Sequence, residues 1–413
     1  MKLTITPAKL SGSITPPPSK SQAHRMIILA SLANGESTIT SFTPSEDLLA
    51  TIRAMRALGA QVTTDGNTLH IRGIDPRNIR TKSLPQIDCG ESGSTLRFLI
   101  PVTLAVTGGG IFTGSQRLMQ RPLEPYFKIF HEQGIHYSLE NNTLTVRGHL
   151  LPGKHCLPGN VSSQFFSGLL LALPLLREPS VLVPEGRLES GSYIAMTLHA
   201  LSRFGVHIPA TMSLPPQYHI PSDAVYQPQN LSIEADWSQA AFWYAAAGIG
   251  NEITVSGMTD ESFQGDRVIL EYGAMLSDRG NVSIDISNCP DLAPALAVWG
   301  ALRHGQLRLT NAARLRLKES DRLAAITATL SALGADIHAD NDSLIIHGKQ
   351  SLPGGITVDC HNDHRIAMML AIAATRCERP VTLTDARCVG KSYPRFWEDY
   401  AALGGIIHEH IGE

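Results

Sequence analysis

One phrase recurs along this chain, and its period limits the available folds more than any other feature. An amphipathic helical segment ends in a glycine turn at Met55-Arg56-Ala57-Leu58-Gly59-Ala60 and again at Phe130-His131-Glu132-Gln133-Gly134-Ile135. It returns at Leu201-Ser202-Arg203-Phe204-Gly205-Val206, Leu330-Ser331-Ala332-Leu333-Gly334-Ala335 and Tyr400-Ala401-Ala402-Leu403-Gly404-Gly405, with a weaker copy at Leu270-Glu271-Tyr272-Gly273. The marker glycines are spaced by 75, 71, 68, 61 and 70 residues, so six copies fill the 413-residue chain. Each glycine suits the left-handed residue that closes a helix. Behind several of them a strand, a polar turn and a strand follow, as at Gln61 to Ile71, Tyr137 to Val146 and Ile337 to Ile346. Repeats this large mix helix and strand and do not stack as a solenoid, so we expect an α+β fold of two compact domains with three copies each. The Pro- and Gln-rich stretch from Pro215 to Asn230 is the candidate boundary.

Seven short polar clusters punctuate the repeats. They are Ser19-Lys20-Ser21 with Arg25, Gly90-Glu91-Ser92-Gly93-Ser94 with Arg97, Arg121-Pro122, Ser162-Ser163-Gln164, Lys318-Glu319-Ser320-Asp321-Arg322, Asp363-His364-Arg365 and Lys391-Ser392. Most stand just ahead of a long apolar run that reads as a helix. A helix N-terminus offers free N–H groups and a positive dipole end, so several of them together predict a site for a substrate with more than one phosphate or carboxylate. Capping alone accounts for Asp236. It does not account for His364 and Arg365 after Asp363, because positive charge at a helix N-terminus is unfavourable unless an anion lies there. Lys318 and Arg322, one turn apart, flank Glu319; the bland alternative is a helical salt-bridge network. Between two cations Glu319 is expected to have a lowered pKa and still to move a proton once substrate desolvates it.

The net charge of −3 gives no global basic field for nucleic acid, so the useful positive charge is local. Eight cations stand in the clusters: Lys20, Arg25, Arg97, Arg121, Lys318, Arg322, Arg365 and Lys391. Two phosphorylated substrates, one also a carboxylate, carry roughly four to six negative charges, which is the same order. The apolar runs fall short of a membrane span, the N-terminus Met1 to Ile5 alternates like a strand, and six cysteines show no zinc spacing. A cytoplasmic protein with no metal, cofactor, nucleic-acid or membrane partner is expected. His361 and His364 are too closely spaced for a helical metal pair, Lys20-Ser21 lacks a Walker A loop, and neither G-x-G-x-x-G nor G-x-S-x-G is present in context.

Taken together the motifs resemble those of the EPSP synthases, the enolpyruvyl transferases of the shikimate pathway. Ser19-Lys20-Ser21-x-x-x-Arg25, Arg121-Pro122, Val161-Ser162-Ser163-Gln164, Lys318-Glu319-Ser320-Asp321-Arg322 and Asn362-Asp363-His364-Arg365 stand in that family's order, from Ser19 to Ser392. Any one motif is weak; the set is specific. The resemblance implies an inside-out barrel of six β-α-β-α-β-β units in two domains that close on substrate. One domain would hold residues 1–19 and 228–413, the other 20–227. It implies transfer of the enolpyruvyl group of phosphoenolpyruvate to the 5-hydroxyl of shikimate 3-phosphate by a monomer. Shikimate 3-phosphate would be held by Lys20, Ser21, Arg25, Ser162, Ser163, Gln164, Ser190, Tyr193, Asp291 and Lys318. Phosphoenolpyruvate would be held by Lys20, Gly93, Arg121, Gln164, Arg322, His364, Arg365 and Lys391. Asp291 would take the hydroxyl proton, and Glu319, with Lys20, would protonate the methylene carbon of phosphoenolpyruvate.

The chain departs from the family pattern at Pro18, where glycine often stands, at Glu91, where many members carry Asn, and at Arg314, where an Asn contact is expected. Two alternatives remain. The sister enzyme acting on UDP-N-acetylglucosamine uses a reactive loop cysteine, and Cys89 precedes its turn instead of lying on a loop. A non-catalytic anion-binding protein on the same scaffold would have no need of both Asp291 and Glu319.

Overall fold

The computed structural model describes residues 1–79 and 83–410. The chain divides into two compact units, Met1–Pro17 with Ala235–Glu413, and Pro18–Glu234. The fold is α+β, and a single sheet plan recurs in it. In the second unit Gln86–Asp88 lies parallel to Gly109–Thr113, which pairs antiparallel with Thr143–Arg147, and that strand pairs with His136–Glu140. The first unit repeats the order in Val282–Asp285, Gln306–Thr310, Ser343–His347 and Asp336–Ala339. The hairpins expected behind the marker glycines are therefore the outer two strands of these sheets.

Two copies are completed by chain from far away. Asn230–Ser232 supplies the parallel partner of Glu36–Thr40 in the second unit, and the chain passes to the first unit only after it. Ser11–Ile14 supplies the parallel partner of Glu252–Val255 in the first unit, just before the chain passes to the second. Each passage thus follows a strand and precedes a buried helix, Lys20–Ser31 or Trp237–Gly248. The second boundary falls at 234–235 instead of near 227, because the stretch after Pro228 is still pairing.

The longest apolar runs fold into helices buried on almost every side, as an all-round hydrophobic helix must be. They include Gly93–Val106 and Ser163–Ala172 in the second unit, and Ala293–Ala301 and His364–Ala374 in the first. Each unit has its own core. Among the described residues no helix is long and apolar enough to cross a membrane.

Five marker glycines take positive φ, with values of 107, 66, 86, 100 and 93° at Gly59, Gly134, Gly205, Gly334 and Gly404. Gly273 does not. It lies inside the helix Ile269–Ser277, where a Cβ would come within 2.8 Å of the Trp299 ring. That glycine is set by close packing, not by a turn, which is why its copy of the phrase is weak.

Candidate active site

Five of the seven polar clusters sit at helix starts. Ser19, Ser92, Ser162, Asp321 and Asp363 are N-caps whose side chains accept backbone N–H bonds from the first turn. Asp236 caps in the same way, as capping alone required. Asp291 does not cap. It lies in the short turn Pro290–Leu292 ahead of Ala293–Ala301, and its carboxylate is turned to three cations.

In the first unit those cations are Lys318, Arg322 and Arg365. Asp291 Oδ1 accepts from Lys318 Nζ at 3.0 Å and from Arg322 Nη1 at 2.9 Å, while Arg365 Nη2 lies 3.3 Å from Oδ2. Arg365 Nη1 also donates to the Asp291 carbonyl at 3.1 Å. Burial alone would raise the Asp291 carboxyl; Arg365, then Lys318 and Arg322, overturn that and hold it well below the usual carboxylate range. Lys318 is lowered by its own burial, against the pull of Asp291.

Arg322 is fully buried and is the hub of this unit. Its Nε donates to Asp363 Oδ2 at 3.0 Å, Nη2 reaches Asp363 Oδ1 at 3.3 Å, and Nη2 also meets Glu319 Oε2. Ser320 Oγ donates to Asp363 Oδ2 at 2.9 Å. Burial works against the charge of Arg322, but Asp363, Glu319 and Asp291 raise its pKa above the ordinary value. The helical salt-bridge network considered for Lys318 and Arg322 is not what forms: Lys318 precedes the helix Arg322–Leu333, and the two meet through Asp291. The anion that a cationic helix start called for is, at Arg322, supplied by the protein's own carboxylates.

His361 and Asn362, both with positive φ, lead into the Asp363 cap, and Lys391 Nζ donates to the Asn362 carbonyl at 2.5 Å. Two successive left-handed residues outside glycine are backbone strain of the kind that gathers at functional sites. His364 and Arg365 open the buried helix that follows. Arg314 donates instead to the Ser287 carbonyl at 2.6 Å.

The second unit holds its cations differently. Arg97 Nη1 donates to Gln164 Oε1 at 2.9 Å and Nη2 to the Pro122 carbonyl at 2.9 Å, while Gln164 Nε2 donates to Ser94 Oγ at 3.0 Å. One residue, Arg97, therefore ties three of the clusters together. Arg121 lies directly over Gly93, so closely that a Cβ there would stand 2.6 Å from Nη1. Its Nε is buried with no hydrogen-bond partner among the described residues. Lys20 Nζ pairs with Asp47 Oδ2 at 2.7 Å.

Arg25 is buried and largely spent on the protein. Nε donates to Thr197 Oγ1 at 2.7 Å, Nη1 to the Ser21 carbonyl at 2.6 Å, and Nη2 to Ser167 Oγ and the Tyr193 carbonyl. Burial pushes its pKa down to about 10, which leaves it charged at neutrality. Ser190, with φ of 55°, precedes the helix Gly191–Arg203 that carries Tyr193. Ser163 is buried beside its cap Ser162, and Ser21 lies in the first turn of Lys20–Ser31.

Sequence reasoning missed several of these groups. Asp47, the partner of Lys20, reads only as an acidic residue in a first helical turn. A buried relay runs from His24 Nδ1, in the helix Lys20–Ser31, to Thr51, then Thr95, then the Ser92 cap, and has no local signature. Asp266, discussed below, stands in an unremarkable Gln-Gly-Asp.

Comparison with known proteins gives the family. The EPSP synthase (3-phosphoshikimate 1-carboxyvinyltransferase) family model matches residues 5–400. A 3-phosphoshikimate 1-carboxyvinyltransferase of Clostridium perfringens is 45% identical over 426 residues, covering 99% of each chain. One from Clostridium beijerinckii is 42% identical and covers 100% of this chain and 99% of its own. Among solved structures, EPSP synthase from Acinetobacter baumannii superposes with a TM-score of 0.80 at 25% identity, over 99% of this chain and 100% of that one. The enolpyruvyl transferase NikO from Streptomyces tendae, at 17% identity and TM-score 0.76, shares the fold. The chain belongs to the EPSP synthase family.

Proposed function

We propose that the two clusters hold and activate the two substrates of this family's reaction. The chain transfers the enolpyruvyl group of phosphoenolpyruvate to the 5-hydroxyl of shikimate 3-phosphate, releasing phosphate through a tetrahedral intermediate. The observation that carries the reading is Asp291, a carboxylate held by Lys318, Arg322 and Arg365 at once.

In the unloaded protein those cations make Asp291 a weak base. An arriving phosphate or carboxylate competes for Lys318 and Arg365, and as they turn to it Asp291 becomes more basic. Binding thereby primes Asp291 to take the hydroxyl proton, while Glu319 delivers a proton to the methylene carbon and later removes one. Lys318 and Asp291 are assigned to shikimate 3-phosphate; Arg322, His364, Arg365 and Lys391 to phosphoenolpyruvate. Arg322, being neutralised by three carboxylates, acts mainly by fixing Asp291, Glu319 and Asp363.

In the second unit Arg121, over Gly93, grips phosphoenolpyruvate with the donor that has no partner among the described residues. Lys20 and Gln164 serve as donors to both substrates. Ser21, Ser162, Ser163, Ser190 and Tyr193 surround shikimate 3-phosphate, with Arg25 supplying charge. Developing charge on the leaving phosphate is met by fixed cations, the largest contribution in most such sites. The protein is taken to act as a cytoplasmic monomer.

Phosphate release tests the reading. It is expected only with shikimate 3-phosphate and phosphoenolpyruvate together, and not with UDP-N-acetylglucosamine. Release with neither pair would return the chain to the anion-binding alternative.

A further inference from the structure

Behind Asp291, in the same unit, lies a second aspartate that the scheme above does not use. Asp266 sits in the short turn Gly265–Val268, almost fully buried. The turn is fastened to the start of the helix Trp237–Gly248: Gln264 Oε1 accepts from the Trp237 amide at 3.0 Å, and its Nε2 donates to the Ala235 carbonyl at 2.8 Å. Asp266 Oδ2 accepts from Ser238 Oγ in the first turn of that helix. Its Oδ1 is buried with no partner among the described residues, and neither amide atom of buried Gln239 has one. A carboxylate with one bare oxygen in such a place is costly, whereas a neutral acid is tolerated.

We propose that Asp266 is a positioning residue for the reaction, a buried acid whose charge state sets how firmly Arg365 and Asp291 are held ready for the substrates. The inference rests on the assignment of those two residues to the substrate site. The charged and titratable groups within electrostatic reach of Asp266 are Asp291 and Cys289 from the turn ahead of Ala293–Ala301, Arg365 from the helix His364–Ala374, and Asp236, the cap of Trp237–Gly248; Ser238 of that helix touches it. Burial, then the charge of Asp291, push the Asp266 carboxyl up to about 7, against the pull of Arg365 and the Ser238 bond. Below that pH it is neutral and leaves Arg365 to the substrate. Above it, the new carboxylate draws Arg365 away and repels Asp291.

The test is the KM for phosphoenolpyruvate from about pH 6 to about pH 8.5, in the whole enzyme and in Asp266→Asn, which imitates the neutral acid. Taking the ratio of the two removes the substrates' own titration. The ratio of wild-type to variant KM is expected to stay near one at the acid end and to rise roughly threefold or more at the alkaline end, the scale of one partly screened charge. A ratio that is flat with pH overturns the proposal, and so does a variant equally impaired throughout. Ser238→Ala gives an independent reading should Asp266→Asn fail to fold. Losing that bond should move the wild-type inflection to higher pH, and an inflection that stays put overturns the proposal. Arg365→Gln separates the two levels of the argument. A KM left at the wild-type value sinks the assignment of Arg365 and the inference with it, whereas a raised KM beside a flat ratio sinks the inference alone.

Discussion

The clusters of the two units balance their charge in opposite ways. In the first unit four cations, Lys318, Arg322, Arg365 and Lys391, stand with three carboxylates, Asp291, Glu319 and Asp363, for a surplus of one. In the second unit Lys20, Arg25, Arg97 and Arg121 stand with Asp47; counting Glu91 as well still leaves a surplus of two. Arg25 and Arg97 bond to hydroxyls, carbonyls and an amide oxygen, which orient a guanidinium without cancelling it. The first cluster is therefore organised by its own acids, which on the proposed reading are given up as ligand arrives. The second is organised by neutral groups and keeps its positive charge for the ligand. The first arrangement suits acid–base chemistry, the second anion capture.

Asp291→Asn should break the first cluster's chemistry most sharply. With the base gone but the shape kept, kcat is expected to fall by about 10²–10⁴-fold. Binding of shikimate 3-phosphate, measured by calorimetry, should persist. Turnover near the wild-type value would remove Asp291 from its role.

Stability should separate the two units next. Arg322→Met leaves the buried Asp363 without its cation, and removing one partner of a buried pair costs about 3–5 kcal/mol. Arg121→Met removes a cation that is not so neutralised, so its cost in a denaturant titration should stay under about 1 kcal/mol while KM for phosphoenolpyruvate rises. Equal losses in the two variants would erase the distinction drawn between the clusters.

Gly93→Ala probes the second cluster more gently. The added methyl stands 2.6 Å from Arg121 Nη1, the far end of a flexible side chain, so the guanidinium shifts and the helix survives. The expected result is a KM for phosphoenolpyruvate raised by about tenfold, near 1.4 kcal/mol, with an almost unchanged Tm. An unchanged KM would show that Arg121 does not need its place over Gly93.

How much of this could be read from residues alone follows from how local each feature is. N-caps and glycine helix ends are set within a few residues, so Ser19, Ser92, Ser162, Asp363 and Gly134 announce themselves. Gly273 misled because a glycine required by the Trp299 ring and a glycine required by a turn look the same in sequence. The polarity of a cluster was legible, but its partners were not. Arg322 and Asp363 lie 41 residues apart and Arg25 and Thr197 lie 172 apart, and nothing near either member names the other. Asp291 is as hard to read, because the cations that claim it come from two other helix starts.

The smallest effect is expected at the pair Lys20–Asp47, where both side chains keep 14% of their exposure. A partly exposed pair of this kind contributes about 1 kcal/mol or less, so Asp47→Asn should lower stability only slightly. Its consequence for binding has the opposite sign. Removing the acid takes one anion from Lys20 and raises the positive surplus of the second cluster by one. If that cluster works by uncompensated charge, the variant should bind phosphoenolpyruvate or inorganic phosphate more tightly, by about two- to fivefold at low salt, with the gain fading as ionic strength rises. If instead Asp47 is needed to hold Lys20 in place, as the acids of the first unit hold Arg322, affinity should fall at every salt concentration. A salt series on the single variant Asp47→Asn therefore decides whether Lys20 works like the other cations of its own unit or is clamped by an acid like those of the other.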